Sequence, residues 1–155
     1  MLPSSDVVTR GSPAHHQALL ARLYSTHLRD VWRWLSLFGV RDHALEDAAH
    51  DVFVAAYRGL ADFEGRSSHR TWLFGIARHV AIDLRRKVVA RRETGDEPPD
   101  AHDPAPGPEQ AAQVAQARAI LDGLLAALID VQRDTFLLYE LGGYSGADIA
   151  ELMEV

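Results

Sequence analysis

The chain has no cysteine at all. That excludes a disulfide scaffold, a thiolate zinc site, an iron–sulfur cluster and a cysteine nucleophile, and it fits a reducing compartment. Long apolar runs are missing too. No window approaches the roughly 20 apolar residues that a membrane helix needs, and Met1 to Pro13 lacks the basic start and apolar centre of a secretory signal. A soluble, cytoplasmic protein without membrane insertion is therefore expected. Convincing alternation of β-branched residues is also absent, which argues against sheet. No Ser/His/Asp pattern and no Gly-rich phosphate loop can be found, so no catalytic residue, cofactor or enzymatic activity is expected.

What remains is a chain of 155 residues with a net charge of −6. That length allows one ordinary domain or two small ones. The charge is polar along the sequence. Arg66, Arg70, Arg78, Arg85, Arg86, Lys87, Arg91 and Arg92 give the stretch 66–92 eight basic side chains against the single acid Asp83. Residues 93–113 then carry six acids and no base. Screening limits each charge to about 10 Å at moderate salt, so the basic block supports phosphate binding whatever the total charge.

Residues 93–108 hold five prolines and no aliphatic side chain larger than alanine. Such a stretch cannot build a core and is expected to be an extended, acidic linker. On either side apolar residues recur at three and four, as helices require. The spacing predicts a helix over 15–38 with Leu20, Tyr24, Leu28, Val31, Leu35 and Phe38 inward, ended by Gly39. A second, over 43–60, places Leu45, Ala48, Val52, Ala56 and Leu60 on one face, with Asp42 as a candidate cap. A third follows Gly65, capped by Ser67 or Ser68, with Leu73, Ile76, Val80 and Leu84 inward. Beyond the linker, Ala117, Leu121, Leu124 and Leu128 suggest a fourth and residues 132–141 a fifth. Ser145 caps a short last helix. The fold expected is all-α: two small helical domains joined by a Pro-rich acidic linker.

Three constellations stand out. The third helix interleaves Arg66, His69, Arg70, Arg78, His79, Arg85, Arg86 and Lys87 with Trp72, Phe74 and nearby Phe63. Cations neutralise phosphates and rings stack on unpaired bases, so the mixture favours a single-stranded or opened nucleic acid. Residues 128–155 have the outline of a helix-turn-helix. His43, Asp47 and His50 share a helix face and could hold a metal, although one Asp-x-x-His lacks the second helical partner of a di-metal centre. A polar surface that docks on another protein is the better reading of that face.

The motifs resemble a known family. Residues 45–54, L-E-D-A-A-H-D-V-F-V, and 63–83, F-E-G-R-S-S-H-R-T-W-L-F-G-I-A-R-H-V-A-I-D, are similar to consecutive segments of bacterial RNA polymerase sigma factors of the extracytoplasmic-function (ECF) group. Residues 131–138 and 143–152 resemble two motifs of that family's region 4. The resemblance implies a tail over 1–14, sigma region 2 over 15–92, a flexible linker over 93–109 and a partial region 4 over 110–155. It implies that Asp47, His50, Asp51, Phe53, Val54 and Tyr57 bind the clamp of the largest subunit of core RNA polymerase. It implies that Phe63, Arg66, Ser67, His69, Arg70, Trp72, Arg78, His79, Asp83, Arg85, Arg86 and Lys87 face promoter DNA, holding open a single-stranded minus-ten element with one base flipped. An anti-sigma factor is a further implied partner. Departures from the pattern fall at His50, His69, His79 and Ile129. In the family a recognition helix follows the position of Val155, so the chain is expected to be truncated within region 4, its last helix poorly held or resting on another surface. Two alternatives stay open: a helix-turn-helix regulator that acts without core polymerase, and a helical metal-binding protein using His43, Asp47 and His50.

Overall fold

A computed structural model describes residues 12–95 and 108–155. The expected linker therefore lies largely outside the described residues, as does most of the expected N-terminal tail. Their margins are helical: Ser12 caps the first helix, residues 93–94 end the third, and residues 108–109 begin the fourth.

The helices are α1 (Pro13–Leu37), α2 (Asp42–Gly59), α3 (His69–Thr94), α4 (Pro108–Ala126), α5 (Asp130–Phe136) and α6 (Gly146–Met153), with a 3-10 turn at Leu60–Asp62 and a π-helical turn at Leu137–Leu141. No strand occurs among the described residues, so the protein is all-α as expected. Local chemistry sets the boundaries. Gly39 follows α1 at φ +86, a conformation that side-chain-bearing residues avoid. Ser68 opens α3, its hydroxyl accepting from the Thr71 amide at 3.1 Å, and Ser145 forms a reciprocal capping box with Asp148 ahead of α6. Asp42 is not the cap expected of it. Arg41 takes the N-cap position of α2 without a side-chain hydrogen bond, and Asp42 is the first helical residue, where its charge still suits the helix dipole. Replacing Ser68 with alanine leaves the Thr71 amide unpaired and is expected to cost about 1 kcal/mol, read as a lower midpoint in urea.

α1, α2 and α3 form a three-helix bundle. Its deepest side chains are Val31, Trp34 and Leu35 from α1, Val52 and Ala56 from α2, and Leu73, Phe74, Ala77 and Ala81 from α3, each no more than 1% exposed. All five residues expected on the α2 face are buried, and Ala49 and Phe53 are buried beside them. On α1 the inward stripe is turned slightly: Trp34 is central, whereas Tyr24 is 48% exposed and reaches the core only by laying its ring against Phe53. On α3 Leu73 is buried as expected, while Ile76, Val80 and Leu84 sit at the margin beside the more deeply buried Phe74, Ala77 and Ala81.

The C-terminal helices rest on this bundle. Leu137, Leu138, Tyr144, Ile149 and Leu152 are buried in the same continuous core as Trp34 and Phe74. α6 lies against α3, where the Thr71 hydroxyl donates to the Glu151 carbonyl at 3.4 Å. The fourth helix departs from expectation. Leu121 and Leu124 are exposed and α4 buries no residue, because its apolar side chains are distributed around the helix instead of along one stripe. Phe136 is likewise 40% exposed, while Leu137 and Leu138, in the π-helical turn just after it, are buried.

Candidate nucleic-acid interface

The site is built where the chain re-enters the bundle. After the 3-10 turn, Phe63 adopts an extended conformation and Gly65 a positive φ of +71, which folds the segment back over the first turn of α3. This return stacks three rings. Phe63 lies 4.9 Å from His69 and 4.8 Å from Trp72, centroid to centroid. Trp72 is half-buried, its outer edge so close to Gly59 that a Cβ there would sit 3.1 Å from Trp72 Cζ2. Such partly covered rings offer flat faces at the surface, suited to stacking on bases. Phe74, also read from sequence as part of this face, belongs instead to the core, edge-on to Trp34 at 5.3 Å.

Cations surround the ring ladder. Arg66 is exposed and pairs with exposed Glu64, an interaction worth little in water. Ser67 is half-buried beside it. Arg70 bonds Asp30 of α1 at 3.2 Å, and its guanidinium lies over the Trp34 ring at 5.5 Å. Along α3, His79, Asp83, Arg86 and Lys87 are exposed, whereas Arg78 and Arg85 are half-buried beneath α5. Burial and then the neighbouring Arg133 pull Arg85 below its ordinary value.

His69 is held below its ordinary 6.5, first by desolvation and then by the positive charges of Arg22 and His27. Arg22 and His27 were not among the expected site residues, and only the three-dimensional packing of α1 against α3 brings them near. A lowered histidine favours the neutral form when folded. The stability linked to neutral His69 is therefore present above about pH 6.5 and lost as pH falls through the lowered value. His69→Gln is expected to shrink the loss of stability between neutral pH and about pH 5, measured by urea titration at each pH.

On α2, Asp47, His50, Asp51 and Tyr57 are exposed and Val54 is half-buried, forming one polar face with an apolar edge. Phe53 departs from the expected set of surface contacts. It is 5% exposed, part of the core, and its role is to seat Tyr24 and the helix behind that face. His43, Asp47 and His50 do not converge: among the described residues no group of three His, Asp or Glu is placed to hold a metal. The metal-binding alternative is thereby corrected. No helix among the described residues is long and apolar enough to cross a membrane.

The site is thus a three-helix bundle with an aromatic and cationic face on its third helix, followed by the helices α5 and α6. The family described as Sigma-70 region 2 matches residues 23–93, the span that holds this bundle and face. Over 137 residues the chain is 34% identical to ECF RNA polymerase sigma factor SigX of Bacillus subtilis, covering 84% of this chain and 70% of that protein. With ECF RNA polymerase sigma factor SigC of Mycobacterium tuberculosis it shares 35% identity over 139 residues, covering 86% of this chain and 70% of that one. The chain belongs to the ECF family of RNA polymerase sigma factors. Its fold is also similar to that of CnrH, solved in complex with the cytosolic domain of CnrY, with a TM-score of 0.54 and 24% identity over 90% of this chain and 75% of that one. Membership in this family displaces the reading of a regulator that works without polymerase.

Proposed function

We propose that this sigma factor recruits core RNA polymerase through the exposed face of α2 and holds open the minus-ten element on the ring ladder of α3. In this reading Asp47, His50, Asp51, Val54 and Tyr57 contact the clamp of the largest subunit, and Phe53 supports them from the core. Phe63, His69 and Trp72 receive unpaired bases, one of them flipped into the fold-back after Phe63. Arg66, Ser67, Arg70, Arg78, His79 and Asp83 line the path of the opened strand, and Arg85, Arg86 and Lys87 hold backbone phosphate. The protein acts in the cytoplasm as a binding factor with no catalytic step of its own. An anti-sigma protein is its proposed inhibitor, in keeping with the solved pairing of CnrH with CnrY.

The observation that carries this reading is the Phe63–His69–Trp72 stack set among cations. Extruding a base from duplex costs a few kcal/mol, and stacking a base on an aromatic side chain returns about 1–3 kcal/mol. Strand opening can thus be driven by binding alone once polymerase holds the duplex nearby. The test is transcription by core polymerase with this chain, on a duplex promoter and on one with a mismatched minus-ten bubble, together with permanganate footprinting. Chain-dependent transcription and reactive thymines at minus ten are expected. Failure to bind core polymerase would overturn the proposal.

His79 sets the base preference in this reading. Neutral imidazole offers one donor and one acceptor on opposite sides of a ring, while the asparagine carboxamide offers two N–H donors and a carbonyl acceptor side by side in one plane. His79→Asn is expected to redistribute minus-ten preference by roughly tenfold or more at one position, since a wrong base pair typically costs about 1–3 kcal/mol. An unchanged preference profile over a randomised minus-ten library would rule that role out.

A further inference from the structure

Of the three stacked rings, His69 alone can carry a charge. It lies against Phe63 at 4.9 Å with the ring planes 30° apart, half-buried at the first position of α3. The positive groups around it oppose protonation. Its own helix contributes Arg70 and the positive end of the helix dipole. Arg22 and His27 face it from α1, and Arg66 stands in the fold-back that precedes it. The acids of the neighbourhood are engaged elsewhere. Asp30 of α1 bonds Arg70 at 3.2 Å and lies 3.6 Å from His27 Nδ1. Glu64 pairs with Arg66, and Asp148, at the start of α6, is held in the Ser145 capping box. Among the described residues none of these carboxylates pairs with His69. The imidazole is thus a potential cation among cations, and the counterion it lacks is an anion from outside the chain.

We propose that His69 is a proton-coupled phosphate contact: when the opened strand is captured, its imidazole takes one proton from solvent and donates to the strand's backbone, so the grip on DNA tightens as pH falls. The inference rests on the assignment of the ring ladder to the opened strand. Bases stacked on the ladder bring the phosphates that link them past its edge. Coupling is reciprocal, so phosphate favours the protonated ring by as much as that ring favours phosphate. In the free chain, desolvation and the charges of Arg22 and His27 keep the ring neutral to a lower pH than usual. In the complex the phosphate works against them. Between those two limits each fall of one pH unit tightens binding by at most about tenfold, the worth of a single proton. A phenylalanine in this place would stack on Phe63 without adding charge, so the histidine joins an electrostatic contact to a stacking one.

The test uses the chain assembled with core polymerase and a rhodamine-labelled single strand selected by that assembly from a random pool. Affinity is followed by fluorescence anisotropy from about pH 8 to about pH 6, the range in which imidazoles titrate. Over that range the parent is expected to gain roughly threefold to tenfold more affinity than His69→Phe, which keeps a ring on Phe63. His79 and the polymerase's own groups titrate in both assemblies, so the difference isolates His69. Calorimetry in two buffers of different ionisation enthalpy is expected to show greater proton uptake by the parent. His27→Gln removes the neighbouring imidazole and is expected to keep the parent's slope. Arg22→Gln removes an opposing cation from an exposed position and is expected to move the rise in affinity to higher pH. Equal slopes and equal proton uptake in parent and His69→Phe, a slope lost in His27→Gln, or a rise left in place by Arg22→Gln would each overturn the proton coupling. If the chain selects no strand beyond those that core polymerase takes by itself, the assignment of the ladder falls and this inference with it. A selected strand bound with equal slopes overturns the inference alone.

Discussion

Trp34→Ala is expected to be the most destabilising single substitution in the protein, with a loss of about 3–5 kcal/mol. The side chain is wholly buried, and its contacts come from three directions. Phe74 meets it edge-on at 5.3 Å, Arg70 covers its face, and its indole nitrogen donates to Tyr144. Alanine leaves a cavity that fixed helices on every side cannot close, and strands the Tyr144 hydroxyl, which is itself in a residue only 8% exposed. Domains of this size are commonly stable by about 5–15 kcal/mol, so the variant keeps little reserve and its melting temperature is expected to fall by more than about 10 °C. Trp34→Phe retains much of the volume and loses the hydrogen bond, and is expected to fall between the two. A loss below about 1 kcal/mol for the alanine variant in urea titration would show that the two units do not share the core as described.

The same residue shows what could be read from the sequence. Helical periodicity located every described helix, and on α2 it identified Leu45, Ala48, Val52 and Ala56 of the buried face but not Ala49 and Phe53, which widen that face beyond a single stripe. On α1 the pattern contains more apolar residues than one face can bury. Trp34 and Tyr24 compete for the inward position, and only the packing of α3, which brings Phe74 opposite Trp34, decides between them. On α4 the spacing of Ala117, Leu121 and Leu124 suggested a core that does not exist, since further apolar residues such as Val114 and Ile120 fall on its other sides and no single stripe is left to bury. At the candidate site, the cations and rings were legible as residue types at short range. Their division was not. Phe53 and Phe74 went to the core, and Arg78 went to a buried carboxylate 56 positions away, a pairing for which no local pattern in the sequence gives a signal. The net charge of −6 likewise hid a face whose basic residues are gathered on one helix, and screening lets that face act by itself.

The largest functional effect is expected at the ring ladder. Trp72→Ala removes the largest ring of the ladder and one of the two on which the central Phe63 rests, the other being His69. With about 1–3 kcal/mol for each stacked base, the fall in transcription from a duplex promoter is expected to be roughly tenfold to hundredfold. Phe63→Ala leaves Trp72 against Gly59 and is expected to cost less. A purely structural role for Trp72 would lower stability and affect every template alike. A role in capturing bases shifts the burden to strand opening, so a template with a mismatched minus-ten bubble, whose bases are already unpaired, is expected to recover part of the lost activity. Core polymerase binding is expected to be retained, since the exposed residues Asp47, His50 and Asp51 of α2 are not part of the ladder. Equal loss on duplex and bubble templates, with polymerase binding intact and the urea midpoint lowered, would assign Trp72 to the fold and remove it from the opening step.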